Sequence, residues 1–542
     1  MRRKATSDLW WKNAVVYCVD VEMFLDADGD GVGDLLGLIE RIDYLAGMGV
    51  SCLWLMPFYP SRQLDDGYDI TDFYGIDERL GTAGDFAELV RTAHDRGIRV
   101  IVDLVVNHTS DHHPWFQAGR DRDSPFHAFY VWADEKPEEK PGDVVFPDQE
   151  DSNWQWDPKA RKWYLHRFYS HQPDLNVANL EVRDEIAQVV GYWLQQGLAG
   201  FRVDAVPFLI EPIGTPEGAI QDPHELLRDL RRSIGRRNGE AILMGEVNLP
   251  PDQQSEFFGD GDELHMVLSF TVNQAMYLAF ARGEAEPLAR ALEALPEVHE
   301  DCQWANFVRN HDELTLDKLS EAEREEVFTA FGPEPEHQLY GRGLRRRLPS
   351  MVGDDPDRVR LAYSLAVSLP GTPVLFYGEE IGMHENLEIP GRMSVRSPMQ
   401  WSSEPHRGFT TGAEPCRPIA PGDAEVAAQR RDRESLLTWM EQLIRRRREC
   451  PELGWGEVTI LDAGDPAVFA HRADWDGSTI LAVHSLVEEP REVTLEVGKA
   501  EAVVDLFRHE EIAPRGARVT VRLGRYGHRW FRVRRPGQRV AP

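Results

Sequence analysis

Residues 200–208 read GFRVDAVPF. Phe201 and Val203 alternate with Arg202 and Asp204, the period of a short buried strand, and the run breaks at Pro207. Two opposite charges therefore share one face at the place where a strand ends. Ionised groups deep in an apolar setting are rare unless they are paired or at work. A structural ion pair and a working carboxylate both fit this stretch alone, and the rest of the chain decides between them.

Outward from it, the same kind of apolar run recurs. Upstream lie AVVYCVDV (14–21), VSCLWLM (50–56) and IRVIVDLVV (98–106); downstream lie AILMGEV (241–247), HMVLSF (265–270), WANFV (304–308) and GTPVLFYG (371–378). Amphipathic helical patterns fall between them, over 36–47, 85–96, 181–196, 223–237, 272–282 and 356–368. Strands that are nearly continuously apolar and alternate with helices predict a parallel sheet covered by helices. With the run at 200–206 there are eight, the arithmetic of a (β/α)₈ TIM barrel of the α/β class.

Two segments break the rhythm. Residues 107–175, rich in Trp, His, Asp and Pro, read as a subdomain inserted after strand three, so the barrel comprises 1–106 and 176–455. A charged, helical excursion covers 313–350, and a long Pro- and Gly-rich loop covers 379–432, of the kind that forms lids or binding walls. Helix 433–448 ends in four arginines expected to oppose the helix dipole and face solvent. From 456 to 542 short alternating strands predict a C-terminal antiparallel β-sandwich, with GRYGHRWFRVRR (524–535) as edge strands.

The chain has 542 residues, too many for one core, and a formal charge of −32. That charge argues against nucleic acid and anionic membranes as partners, and no apolar run approaches a membrane span. The start, MRRKATSDLWWKN, has no apolar signal core. Five scattered cysteines, an odd number, point to reduced thiols and a cytoplasmic location. A homo-oligomer is left open.

In such a barrel chemistry sits at the C-terminal ends of the strands. There the sequence puts Asp65-Asp66-Gly67-Tyr68-Asp69, then Asp103 with Asn107-His108, then Arg202 and Asp204, then Glu246, then Asn310-His311-Asp312. Clustered carboxylates repel and need compensation, so packing explains five such groups poorly. There is no P-loop, no dinucleotide fingerprint, no supported Ser or Cys nucleophile, and no sign of an organic cofactor. Paired carboxylates among aromatic rings suit glycoside cleavage, with one ionised and one protonated group flanking the bond. Asp204, beside Arg202, is expected to stay ionised as nucleophile. Glu246 ends an apolar strand with no cation within three residues, which suits it to general acid and base.

The segments DLVVNH (103–108), QPDLN (172–176), GFRVDAV (200–206), GEVN (245–248) and VRNHDE (308–313) resemble, in order and spacing, those of the α-amylase family, glycoside hydrolase family 13. The resemblance implies Asp204 as nucleophile, Glu246 as acid/base and Asp312 as the carboxylate that grips sugar hydroxyls in the transition state. It implies His108, Arg202 and His311 around the reactive sugar, Asp65 at the pocket bottom, Tyr68 as stacking ring, and Arg396 of VRSPMQW as the partner of Asp65. Such a closed pocket favours short α-glucosides such as maltose or trehalose. Within the family the chain is most similar to trehalose synthases, through PFYPS, DDGYDI, NHTSDHHPWF, HRFYSHQPDLN and CQWANFVRNHDELTL. It departs from their pattern at 18–24, 247–253 and 269–277, which keeps an α-glucosidase or transglucosylase open as the alternative. A non-catalytic binding subunit on the same barrel is the remote one, disfavoured by the presence of Asp204, Glu246 and Asp312.

The loop 26–34, DADGDGVGD, places carboxylates on either side of glycines like the start of a calcium-binding hand. Asp26, Asp28, Asp30, the Val32 carbonyl and Asp34 are the expected Ca²⁺ ligands. By resemblance to trehalose synthases, a second Ca²⁺ would use Asn107, Asp174, Glu211 and the carbonyls of Phe208 and Leu209; ordinary loop hydrogen bonding is the competing reading of those residues.

Overall fold

The structure, a computed structural model, describes residues 8–139, 144–211, 222–412 and 414–537. The N-terminal run 1–7 and residues 538–542, the end of the expected sandwich, lie outside them. Eight parallel strands close into a barrel: β1 Val16–Val19, β2 Cys52–Leu55, β3 Arg99–Leu104, β4 Gly200–Val203, β5 Ile242–Gly245, β6 Met266–Leu268, β7 Gln303–Phe307 and β8 Thr372–Phe376. They pair in chain order, and β8 closes on β1 with Val374 opposite Val16. Strands β2, β5 and β6 are buried along their whole length, which is why their sequences are continuous rather than alternating.

Local chemistry starts and stops the covering helices. Helix Ala83–Asp95 opens on a capping box between Thr82 and Asp85 and turns Phe86, Leu89, Val90 and Ala93 inward. Gly200, at the start of β4, has φ +144, and a Cβ there would stand 2.2 Å from the Ile242 carbonyl oxygen of β5. Only glycine lets these two strands meet. The resulting register sets Arg202 beside Asp103 of β3 on one side and Met244 of β5 on the other.

The inserted segment carries a three-stranded antiparallel sheet with Lys162–Leu165 between Trp132–Ala133 and Trp154–Asp157. Its two ends are drawn together where His108 bridges Asp174 and Tyr130 bridges Leu175. The excursion after β7 is not simply helical. Beside helix Glu321–Phe331 it forms a small sheet of Leu314–Thr315, Gly343–Leu344 and Gln338–Leu339, strands of two residues that leave no periodic trace in a sequence.

The C-terminal unit is a six-stranded antiparallel sheet faced by the pair Arg491–Glu496 and Arg518–Leu523. Two expectations fail here. His528–Arg534 is an interior strand between Ser478–Ser485 and Ala502–Asp505, not an edge. Its arginines are neutralised locally, Arg529 by Asp505 and Glu510 and Arg534 by Glu511, so its charge does not require an open edge. In the four-arginine helix end, Arg447 is fully buried and donates to Asn13 Oδ1, Gly371 O and Cys450 O, tying helix Leu436–Arg448 to the bottom of the barrel.

Candidate active site

Arg202 is the hub. Its Nη1 lies 2.5 Å from Asp103 Oδ1 and 2.6 Å from Asp204 Oδ1, and its Nη2 lies 2.6 Å from Glu246 Oε2. The guanidinium, face on to the Trp54 ring, is enclosed by three carboxylates. Burial works against its charge, but Asp103, Glu246 and Asp204 raise its pKa well above the ordinary arginine value. The strand turns sharply after Asp204: Ala205 has φ +47, a left-handed conformation unusual for alanine, and its N–H points to Glu246 Oε2 at 3.3 Å. That corner delivers both carboxylates to one spot above β4 and β5.

The electrostatics differ from the sequence expectation at Glu246. Glu246 is not free of cations, because a strand pairing brings in Arg202 from 44 residues away. Burial pushes Asp204 up to about 6 against the pull of Arg202, with Asp103 and Asp312 adding to the rise. Burial likewise raises Glu246, opposed by Arg202 and aided by Asp204 and Asp312. At neutral pH Asp204 is still ionised. Asp312 goes the other way: although burial opposes it, His311 and the two arginines Arg392 and Arg396 hold it well below the usual carboxylate range.

The pocket floor holds the remaining residues. His311 Nε2 sits 3.0 Å from Asp312 Oδ2 and 2.9 Å from Tyr68 Oη, and the His311 and Tyr68 rings stack at 5.8 Å. His108 Nε2 is 3.2 Å from the Tyr68 carbonyl oxygen, and burial lowers its pKa to about 4, so it is neutral. Asp65 accepts from Gln172 Nε2 at 2.9 Å. Its cation, however, is Arg392, not Arg396: Arg392 Nη2 meets Asp65 Oδ1 at 2.5 Å and Nη1 meets Asp312 Oδ1 at 2.9 Å. Arg396, one short helical turn further on, pairs with Asp66 at 2.5 Å and with Asp312 at 2.8 Å. The 3₁₀ turn Gly391–Val395 sends the two arginines to different members of the Asp65-Asp66 doublet, which spacing alone does not resolve. Above this floor lies a cavity of about 950 Å³ lined by Glu246, Asp312, Arg392, Phe146, Phe168, Phe208 and Phe270, together with Asn248 and Leu249. Arg392 and Phe146 carry no strand-end signature; the recurrence of arginines in GRMSVR is the one signal that points to the first of them.

At the expected first metal site, one oxygen each of Asp26, Asp28 and Asp34 lies within 4.8 Å of the others, a donor set that fits a hard cation. Asp30 is outside that group and accepts the Val32 N–H at 2.8 Å, because the Gly29 and Gly31 turns carry it away. Asn107, Asp174, Phe208, Leu209 and Glu211 do surround one small cavity. Arg167 stands among them: it reaches Glu211 Oε2 at 2.6 Å and Asp174 Oδ2 at 3.6 Å, and Asn107 Nδ2 donates to Asp174. The chain's own cation thus stands among the expected ligands, although burial still pushes Asp174 up to about 7 against the pull of Arg167.

A pair of carboxylates held by one guanidinium, a third fixed by two more, and a closed polar floor on a (β/α)₈ barrel define a glycoside-cleaving centre. Residues 19–327 and 344–456 match the alpha amylase catalytic-domain model, and residues 477–532 match the sucrose hydrolase-like C-terminal domain. The chain belongs to the α-amylase family. It is 39% identical to the trehalose synthase/amylase TreS of Mycobacterium tuberculosis, covering 97% of this chain and 90% of that one. It is 38% identical to the trehalose synthase of a Pimelobacter species, covering 97% and 96%. Among solved structures, the trehalulose synthase MutB superposes with a TM-score of 0.78 at 26% identity, over 97% of this chain.

Proposed function

We propose that this enzyme isomerises maltose to trehalose through a glucosyl-enzyme intermediate. The observation that carries the retaining step is the shared guanidinium. Carboxylates bound to two nitrogens of Arg202 are close neighbours, as in retaining enzymes, whose pair lies about 5–5.5 Å apart. Asp204 attacks the anomeric carbon while Glu246 protonates the departing glycosidic oxygen. The bond to the second glucose breaks and an ester to Asp204 forms. Asp312, kept ionised, faces the charge that develops on the sugar. Asp65 and Arg392 close the floor, so only a terminal glucose fits. The freed glucose then turns within the walled cavity and returns its anomeric hydroxyl, Glu246 now taking the proton, and the second inversion restores the α configuration. Phe146, Phe168, Phe208 and Phe270 give that glucose apolar walls that exclude water.

One observation favours a second reading. Asn248, Leu249 and Phe270, on the acceptor side of the cavity, belong to the segments that depart from the trehalose synthase pattern. An enzyme that passes the glucosyl group to water or another acceptor would differ there. Product analysis with maltose, trehalose and sucrose separates the two: trehalose from maltose supports isomerisation, and glucose as the sole product refutes it. Calcium at Asp26, Asp28 and Asp34 belongs to the same proposal, as a structural clamp on the loop after β1. The five unpaired cysteines, four of them buried, support a reducing, cytoplasmic setting.

A further inference from the structure

The doublet Asp65-Asp66 points two ways. Asp65 faces the sugar floor, while Asp66, with φ +52, turns its carboxylate to the back of the site. There Asp66 Oδ2 meets Arg396 Nη1, and both Asp66 oxygens meet Arg417, which comes from the long loop after β8. Arg396 is fully buried and all three of its nitrogens are committed: Nη1 to Asp66, Nε to the His311 carbonyl oxygen at 2.7 Å, and Nη2 to Asp312 Oδ1 at 2.8 Å. Arg417 also approaches Asp20, at the end of β1, at 3.9 Å. A line of alternating charge thus runs from the outer loop to the reacting centre: Arg417, Asp66, Arg396, Asp312.

We infer that Asp66 and Arg417 are positioning residues for Asp312, acting through Arg396; the inference rests on the glycoside-cleaving reading of the site. Arg396 is bound at both ends. With Asp66 anchored by Arg417, the guanidinium is held back and gives Asp312 one directed hydrogen bond. If Asp66 loses its charge, nothing balances Asp312 at the other end, and Arg396 moves onto the Asp312 carboxylate. That carboxylate would then be neutralised and displaced where it must face positive charge on the sugar, whereas the ground-state hydroxyl contacts of Asp65 and His108 stay in place. A misplacement of about 1 Å costs roughly 100-fold in rate. The signature is therefore a loss in kcat with little change in KM.

The test uses Asp66→Asn, which keeps a residue that tolerates the left-handed turn, and Arg417→Gln, with Arg417→Lys as the conservative variant. Turnover of maltose is measured together with affinity for glucose and for 1-deoxynojirimycin, a cationic sugar mimic that reads the charge field of the site. The expected result is a kcat loss of about 10- to 100-fold with KM within about threefold. Affinity for the cationic mimic should fall in parallel while that for glucose holds, with recovery in Arg417→Lys. The double variant should lose no more than the worse single one. A kcat within twofold of the parent, or equal losses for glucose and the mimic, overturns the proposal. A parent enzyme that leaves maltose unchanged refutes the functional reading alone; the mimic-to-glucose ratio needs no turnover and still decides the role of Asp66 and Arg417. Should Arg417→Gln fail to fold, Asp66→Asn and Arg417→Lys carry the same comparison.

Discussion

Removing the charge of Asp103 should move the acid limb of the reaction to lower pH. Asp103 and Asp204 each bind Arg202 Nη1, at 2.5 and 2.6 Å, so their oxygens are no more than about 5 Å apart. Two unit charges at that distance repel by about 3 kcal/mol at an effective dielectric of 20, or about two pH units. Asp103 is itself pushed up to about 6 by burial, so it is partly protonated where Asp204 titrates, and the net shift should be nearer one unit, about 1.4 kcal/mol. The sign follows from the mechanism. Asp204 works ionised, its pKa lies near 6, and activity is lost as pH falls through that value. In Asp103→Asn the repulsion is gone and Asp204 no longer shares Arg202 Nη1 with a second carboxylate, so the limb moves down. The assay is kcat/KM against pH from about 4 to 8, which reports the free enzyme. Absolute rates will fall, since Asp103 also accepts from Trp54 Nε1; only the position of the limb bears on the argument. A limb that stays near pH 6, or moves up, would refute the assignment of its titration to Asp204.

Arg392→Lys keeps the charge but cannot span Asp65 and Asp312 together; kcat/KM on maltose should fall about 100-fold or more, with the fold intact by thermal melting. Chelation should lower the melting temperature of the parent protein, and Asp34→Asn, which weakens the carboxylate cluster, should make the melting curve insensitive to chelator; identical curves for the parent with and without chelator would count against the ion. His471 and His484, buried between the barrel and the C-terminal sheet on Ser368 and Ser364, and half-buried His528 against Trp439 are held neutral by desolvation, His471 and His528 at about 4. Their folded pKa values lie below the unfolded one, so stability is intact above about 6.5 and declines as pH falls toward 4. His484→Leu should flatten the dependence of melting temperature on pH in that window.

The barrel was legible because buried parallel strands must be apolar throughout, and eight such runs separated by helical periods admit few other arrangements. Asp204, Glu246 and Asp312 were legible because they follow strand ends, where a barrel exposes its chemistry. What the sequence hid is relational. Arg392 and Arg396 differ only in how one 3₁₀ turn aims them, and neither ion pair is visible before the turn is folded. The cation beside Glu246 comes from a neighbouring strand, so nothing adjacent in the sequence announces it. Arg447 and the strand His528–Arg534 look like solvent-facing cationic runs, yet carbonyls and acids supplied by distant elements allow them inside. Arg167 stands in the same way among the oxygens that the family resemblance offers for a second metal, a placement that no spacing in the sequence announces.

The central claim is that Asp204 takes up the glucosyl group of maltose and returns it to the glucose still held in the pocket. The most direct test is to incubate the enzyme with unlabelled maltose and an excess of ¹³C-glucose and to follow the products by NMR. Trehalose that forms largely without label, with free glucose minor, is the predicted result. Glucose as the only product would contradict it.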